Sequence, residues 1–504
     1  MAAVAVMMAS ACSSGDDDDA AADSDETTAS TAAGETTPTT AVEIDRSGRF
    51  AAEDTFCTPA TEETETEAPE QIDDGITEDE ISITHIRVKL EELANLGFAV
   101  DIGDTNDYVK TFVDIVNDRC GGIHGRKIKL NTVEVPALPG EGQDTSSVAQ
   151  AACIEAAEDQ HAAFAFSTSG FGDVGVPCLT QSHEVVFITS YTVSLDDIDK
   201  AESRLYSVGL AGEESLTYAA RDLAAQGLLD GKKIGVVRPD GTPDAQIVER
   251  GLVDVLEDEL GLDVVRVDTI GCGGTNSCTE GVADSVQGMI ADGVDVLFPA
   301  LNVISLPGYL AEMTNQGVQP GDITFYQTGY LAQSGDLVSG KVVEFGGEAA
   351  GNLYNGTTVI ASGPTGEFRL DGYEPAPFTQ MCNKEYAENG ANSEGEYDAT
   401  NEATATKLGA LVGVCSDIRM IARAIETAGA NPSRASLAEA MENLGAVDQG
   451  GRDRYGSFAP GKYTAPNTLF TNIFHYPCPY ETTAKSGACI VVDGDARPLP
   501  TEGS

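Results

Sequence analysis

The chain has 504 residues, and its 82 acidic against 29 basic side chains give a formal net charge of −53. That balance lacks the basic footprint that nucleic-acid phosphates require, so nucleic acid is excluded as a partner. The length allows about two to three domains, each able to bury a core. Such a charge keeps an exposed protein soluble but does not specify the charge of a ligand, which local groups in a cleft decide.

Residues 1–12 read as an export signal. Met1 to Ala11 is an uncharged apolar run, and Met8-Ala9-Ser10-Ala11-Cys12 resembles the lipobox of bacterial lipoproteins, which makes Cys12 the expected lipidation site. Two acyl chains there suffice for stable anchoring to the outer face of the cytoplasmic membrane. Residues 13–75 are rich in Thr, Ala, Glu and Asp and too poor in apolar side chains to offset chain entropy, so an acidic, disordered tether is expected. Cys57, beside Phe56, is the point in it that a disulfide would pin to the body. No later apolar run approaches the roughly 18 to 20 residues of a spanning helix, and the body is expected to be soluble.

Setting Cys12 aside leaves ten cysteines, an even number that an exported protein oxidises in pairs. Spacing favours Cys272 with Cys278 and Cys478 with Cys489, and leaves the partners of Cys57, Cys120, Cys153, Cys178, Cys382 and Cys415 open. There is no CxxC pair, and the histidines at 85, 124, 161, 183 and 475 form no HExxH motif or cluster, so no metal or other cofactor is expected.

In the body, a strand is predicted over 81–88, followed by a long connection to residue 103. Tyr108, Phe112, Ile115 and Val116 then recur at helical spacing. The stretch Gly121-Gly122-Ile123-His124-Gly125-Arg126-Lys127-Ile128-Lys129-Leu130 stops that helix with a left-handed glycine and opens a strand in which Ile128 and Leu130 alternate with lysines. A second helix, capped by Asp144 or Thr145, carries Val148, Ala152 and Ile154. Strands at 162–166 and 185–188 each end in a hydroxyl-rich loop, Ser167-Thr168-Ser169-Gly170 and Thr189-Ser190-Tyr191-Thr192. Beyond Ser207 the alternation repeats, with helices at 216–226, 245–260 and 279–292 and strands at 233–237, 264–267, 294–298 and 323–327. A long helix or helix pair over 397–428, a short helix over 436–444 capped by Ser436, and a strand over 468–474 complete two α/β units in series.

Four places in this order resemble the type I periplasmic solute-binding proteins of the branched-chain amino acid (Leu/Ile/Val-binding) family. They are NDRCGGIHGRKIKL, the strand ends FSTSG and VVFITSYT, KKIGVVRPDG, and IARAIETAGANPSRASLAEAMENLG. The likeness covers about residues 78–480. It implies two α/β lobes, each a mostly parallel sheet flanked by helices, joined by three crossings. The first lobe is expected over 76–205 and 362–458, the second over 206–361 and 459–504. It also implies a monomeric, lipid-anchored receptor in the cell envelope that captures a small polar solute for an ABC permease, or a sensor of the same fold that feeds a membrane signalling protein.

Ligands of open α/β sheets bind beyond the carboxyl ends of the strands. Ser167, Thr168, Ser169 and Gly170 lie at one such end, and Thr189, Ser190, Tyr191 and Thr192 at the next. The hydroxyls also serve as helix caps, a role compatible with ligand contact. In the second half the resemblance places Asn302, Gln327 and Tyr330 at the cleft. Amino-acid binders of the family hold the ligand ammonium with an acid on a second-lobe loop, but here that loop reads Gln327-Thr328-Gly329-Tyr330. The tyrosine usual early in the second lobe is missing from RPDGTPDAQ, where Asp240 and Asp244 remain as alternatives for the acid. No enzyme motif competes, since GxSxG fails at Ser169, where Ser167 stands two residues before, and no P-loop occurs. The resemblance therefore implies capture and release, without catalysis.

Overall fold

The computed structural model describes residues 45–61, 70, 73–98, 101–138, 144–172, 174–241, 243–273, 277–450, 455–482 and 485–501. The expected signal segment, Cys12 and the first part of the tether lie outside the described residues.

Strands buried on both faces need continuous apolar sequence, which FAFS and VFIT supply at the centre of the first sheet. That sheet contains β1 (Glu80–Lys89), β2 (Lys127–Pro136), β3 (Phe164–Ser167), β4 (Val186–Thr189) and β5 (Leu205–Ser207), all parallel, in the order β2-β1-β3-β4-β5. In the second sheet β6 (Ile234–Pro239), β7 (Val264–Ile270), β8 (Val296–Pro299), β9 (Thr324–Thr328) and β10 (Thr358–Ala361) run parallel. After an antiparallel ribbon of β11 (Gly445–Asp448) and β12 (Tyr455–Phe458), the strands β13 (Thr468–His475), β14 (Cys489–Val492) and β15 (Arg497–Pro498) join the second sheet antiparallel.

The helices, in chain order, are α1 (Thr105–Asp114), α2 (Thr145–Ile154), α3 (Gly175–Pro177), α4 (Leu195–Lys200), α5 (Gly212–Ala225), α6 (Asp244–Val248), α7 (Val282–Asp292), α8 (Ser305–Asn315), α9 (Asp336–Tyr354), α10 (Pro377–Asn389), α11 (Glu402–Ala428) and α12 (Arg434–Glu442). Asp144 caps α2 by accepting the Ser147 N–H at 2.6 Å, which decides between the two candidate caps. Ser433, not Ser436, caps α12, with Ser436 returning the bond as the other half of a capping box.

Each sheet is covered on both faces. In the first lobe α1, α10, α11 and α12 build one core with Phe112, Phe166, Ile418 and Ile421, and α2 with the 176–201 segment builds the other. The second lobe repeats this with one core around Leu297, Tyr309 and Phe474 and another around Leu216, Val236 and Leu252. The chain passes between the lobes three times: from β5 to α5, from β10 to α10, and from β12 to β13.

The turn at 121–126 is a rigid corner. Gly122 has φ +79°, and a Cβ there would lie 2.3 Å from the Arg126 carbonyl oxygen, so only glycine fits. Arg126, 1 % exposed, donates to the carbonyls of Thr77 (2.6 Å), Glu70 (2.8 Å) and Ala430, pinning the segment before β1 to the end of α11.

Residues 45–61 correct the expected extent of the tether, because they are built into the first lobe. Phe50 and Phe56 are fully buried, and Phe56 stacks on Phe112 with ring centroids 5.4 Å apart. Cys57 is bonded to Cys120. Arg49 donates to the carbonyls of Cys120 (2.6 Å) and Gly122 (3.1 Å), and Arg46 pairs with Asp448 at 2.7 Å. Average composition conceals this strap, since two phenylalanines, two arginines and one cysteine fix it amid many acidic and small residues. The other disulfides join Cys153 to Cys178, Cys272 to Cys278, Cys382 to Cys415 and Cys478 to Cys489.

Candidate ligand cleft between the lobes

The first-lobe loops contain two kinds of hydroxyl. Ser167, Ser169 and Thr189, exposed by 1, 7 and 0 %, are used by the backbone. Ser169 N–H points to Ser167 Oγ at 3.4 Å, Val88 N–H donates to Ser169 Oγ at 3.1 Å, and Tyr191 N–H donates to Thr189 Oγ1 at 3.0 Å. The Ser190 N–H donates to the Ser167 carbonyl at 3.2 Å, so the two loops are cross-braced. These three hydroxyls are engaged within the lobe, because alternate residues at a strand end point back into it.

Thr168, Ser190 and Thr192 are half-buried, and their hydroxyls have no protein partner among the described residues. Tyr191 is 49 % exposed, and a Cβ on Gly172 would lie 3.6 Å from its ring. Burial nonetheless pushes its phenol up, and the charge of Asp244 adds to this. The ring is thus hemmed in by protein yet open to solvent, as a cleft wall is. Gly170, exposed and at φ +58°, lets the first loop turn beside it.

In the second lobe Asn302 and Gln327 likewise serve the lobe itself. Asn302 Oδ1 accepts the N–H groups of Ile304 (3.1 Å) and Ser305 (3.0 Å) at the start of α8. Gln327, 3 % exposed, donates to the Pro299 carbonyl at 2.8 Å and accepts the Thr328 N–H at 3.1 Å. Both side chains are thus engaged in capping and strand-end bracing at the edge of the sheet where the motif placed them.

Tyr330 is positioned by its backbone N–H, which donates to Thr328 Oγ1 at 3.1 Å, and by its phenol, which donates to Asp244 Oδ1 at 2.6 Å. Its ring packs against the start of α5, where a Cβ on Gly212 would come within 3.1 Å of it and 2.7 Å of Ile247. Leu331 and Ala332 follow at φ +55° and +58°, a left-handed pair of non-glycine residues that costs about 1 kcal/mol or more each. Burial raises the pKa of Asp244, and the Tyr330 hydrogen bond opposes this. Burial and then the Asp244 charge push the Tyr330 phenol up. Of the two acids left open by sequence, Asp240 accepts the Cys272 N–H at 2.9 Å and holds the disulfide loop. Asp244 is the one beside the cleft tyrosines; only its place in RPDGTPDAQ hinted at this.

Contacts also cross between the lobes. Arg250 reaches Asp196 of α4 at 2.9 Å while pairing with Glu213 of its own lobe. Phe98 meets Phe345 edge-on at 5.5 Å, with the Lys341 ammonium 5.6 and 5.2 Å from their centroids. At the second crossing Arg369, 2 % exposed, pairs with Asp336 of α9 and Glu402 of α11, each at 2.6 Å. Cys153, Cys178 and His183 lie close enough for metal coordination, but the two cysteines are bonded to each other. Among the described residues no helix is long and apolar enough to cross a membrane.

The family model described as periplasmic binding protein matches residues 104–471. A search of curated proteins found no match. Among solved structures, a solute-binding protein of an ABC transporter from R. palustris in complex with 4-hydroxybenzoate is 13 % identical, with a TM-score of 0.56 over 84 % of this chain and 98 % of that one. The leucine-, isoleucine-, valine-, threonine- and alanine-binding protein from Brucella ovis, in its closed conformation, is 13 % identical, with a TM-score of 0.56 over 83 % and 95 %. A fatty acid ABC transporter substrate-binding protein from Thermomonospora curvata is 16 % identical, with a TM-score of 0.53 over 86 % and 95 %. Two sheets whose strand ends meet across a cleft, three crossings, and a family match spanning both lobes lead to one conclusion: the chain belongs to the periplasmic binding protein family and is a solute-binding receptor.

Proposed function

We propose that the chain captures a small polar solute, such as an amino acid, an amide or a carboxylate-like molecule, outside the cytoplasm and presents it to the permease of an ABC transporter. The observation that carries this reading is the set of unclaimed hydroxyls at Thr168, Ser190, Tyr191 and Thr192 opposite the Asp244 and Tyr330 pair, at the carboxyl ends of two sheets. The solved structures named above are a solute-binding protein in complex with 4-hydroxybenzoate, an amino-acid-binding protein and the substrate-binding protein of a fatty acid transporter. They support a ligand of comparable size here.

Capture requires that solute bind the closed arrangement better than the open one, since only differential affinity shifts the population. Groups on both walls provide this, because each gains its second partner only on closure. In this reading residues 76–205 with 362–458 and residues 206–361 with 459–504 move as the two lobes, and lipidation of Cys12 holds the receptor at the membrane. The test is a thermal-shift screen of the purified chain against amino acids, amides, urea, carboxylates and aromatic acids. A ligand present at about one hundred times its Kd adds about 2.7 kcal/mol of stability, a shift of several degrees. If no compound in a broad set moves the transition, the receptor reading falls.

A further inference from the structure

A groove runs along the outer flank of the first lobe, where one face of α1 lies against β2, the edge strand of its sheet. Asn106, Lys110 and Val113 line it from the helix, and Ile128, Leu130 and Thr132 from the strand, around a cavity of about 390 Å³. It lies along the first half of β2, whereas the cleft is beyond the carboxyl end of that sheet. One end is apolar and is closed by Asn117, whose amide takes both the N–H (2.7 Å) and the carbonyl (2.8 Å) of Ile128. The other end is polar. Asn106 Nδ2 donates to Glu134 at 3.0 Å, which fixes Oδ1 as an acceptor, and that oxygen is buried without a partner among the described residues. Beside it is His85, the register partner of Thr132 and 0 % exposed. Its ring stacks on Phe166, and neither ring nitrogen has a partner among the described residues. The Thr132 hydroxyl is likewise unclaimed there.

Folded proteins leave few buried polar atoms unpaired, and three of them meet at this one end of the groove. Burial lowers the pKa of His85 to about 4, so at neutral pH one ring nitrogen donates and the other accepts. A hydroxyl, which both donates and accepts, answers that ring and Asn106 Oδ1 together. Charged ligands are poorly served. The nearby carboxylates are already paired, Glu134 with Arg87 at 2.8 Å and Asp114 with Lys110, so an ammonium finds no counter-charge and a carboxylate meets the Asn106 acceptor. From this geometry we propose that the groove between α1 and β2 is a second binding site, for a small neutral alcohol or phenol. Its hydroxyl meets Asn106, Thr132 and His85, and its apolar body lies along Val113, Ile128 and Leu130. The cavity is at the lower end of the roughly 300 to 1,000 Å³ of ligand pockets and suits a molecule of about one ring. The site is separate from the cleft and does not depend on which solute the cleft takes.

The experiment is isothermal titration of the purified chain with 4-methylphenol, with toluene, which has the same body without the hydroxyl, and with 4-methylbenzoate, which carries a charge. 4-Methylphenol should bind the wild type saturably and about tenfold tighter than either of the others, the fold-change of one hydrogen bond to a buried group. His85→Phe keeps the ring stack and removes both nitrogens, and it should weaken 4-methylphenol about tenfold while leaving toluene unchanged. Thr132→Val removes a hydroxyl at a half-buried position, so the polar end is tested even where the core change unfolds the lobe, and it should weaken the phenol severalfold. Leu130→Trp, also at a half-buried position, fills the groove and should abolish phenol binding without moving the unfolding midpoint. If 4-methylphenol does not bind, binds no better than toluene, or is weakened by neither polar-end variant, the site is overturned. Binding to Leu130→Trp as tight as to the wild type also overturns it and places the phenol elsewhere, while the receptor reading stands.

Discussion

In the first lobe the disulfides Cys57–Cys120, Cys153–Cys178 and Cys382–Cys415 join residues 63, 25 and 33 positions apart, whereas in the second Cys272–Cys278 and Cys478–Cys489 join residues 6 and 11 apart. The cleft walls differ in the same division. The first offers neutral hydroxyls on a cross-braced pair of loops, and the second offers a carboxylate at the start of α6, held by a tyrosine whose own loop has left-handed non-glycine backbone. One lobe is a cross-linked frame that also takes in the N-terminal strap. The other carries the carboxylate of Asp244, held by the Tyr330 phenol, on its cleft wall. The proposed reading thus places the stabilising cross-links and the charged cleft wall on different lobes, and mutations should separate them.

The largest separation is expected from the strap. Closing a loop of about 64 residues removes about 4 kcal/mol of unfolded-chain entropy, against about 2 kcal/mol for a loop of about 7. Replacing Cys57 and Cys120 together with serine should therefore lower the denaturant midpoint of the first lobe well beyond what the same change at Cys272 and Cys278 does to the second. Equal losses would show that the strap is held by Phe50, Phe56 and its arginine contacts, with the cross-link adding little.

These differences were unevenly legible in the sequence. The turn at 121–130 was readable because glycine geometry and strand alternation are local rules, and its glycines do take left-handed φ values. The parallel strands were readable as short apolar runs between helices. The strap was not, because its burial depends on partners far along the chain, such as Asp448 for Arg46 and the carbonyls of Phe50 and Ala52 for Arg419. At the cleft, the sequence located the strand ends, but period-two alternation decides which hydroxyl looks out, and a shift of one residue exchanges Ser169 for Thr168. Asp244 was readable only as an alternative, since its significance comes from Tyr330, 86 positions later.

The next largest effect concerns acid. His85 on β1 is fully buried and stacks on Phe166 at 5.0 Å. Neither of its ring nitrogens has a hydrogen-bond partner, and Asn106 Oδ1 beside it is also unpartnered. Burial lowers its pKa from 6.5 to about 4, with the charge of Arg87 acting in the same direction and Glu134 and Asn106 against it. Between those values the unfolded chain binds the proton and the folded one does not, so the lobe loses stability as pH falls, by up to about 3 kcal/mol. Asp244 has the opposite sign. Its folded pKa is raised, so the folded state takes up a proton first, and acidification through that range favours the folded second lobe. His85→Phe should keep the stack and abolish the acid loss. If wild type and variant lose stability in parallel from pH 6.5 to 4, His85 is not the first lobe's acid-labile point.

The smallest effect tests whether the lobes communicate through charge. The Arg250 and Asp196 side chains are 42 % and 44 % exposed, so their pair is worth no more than about 0.5 kcal/mol and weakens with salt. A pair that bridges the lobes acts on the balance of open and closed states, however, and 0.5 kcal/mol changes that balance by about twofold. Asp196→Asn should leave the unfolding midpoint unchanged, because neither lobe loses a buried contact. It should weaken solute binding about twofold at low salt and not at high salt. A salt-independent change would place Asp196 among the groups that touch solute, and the neutral first-lobe wall would then have to be redrawn as a charged one.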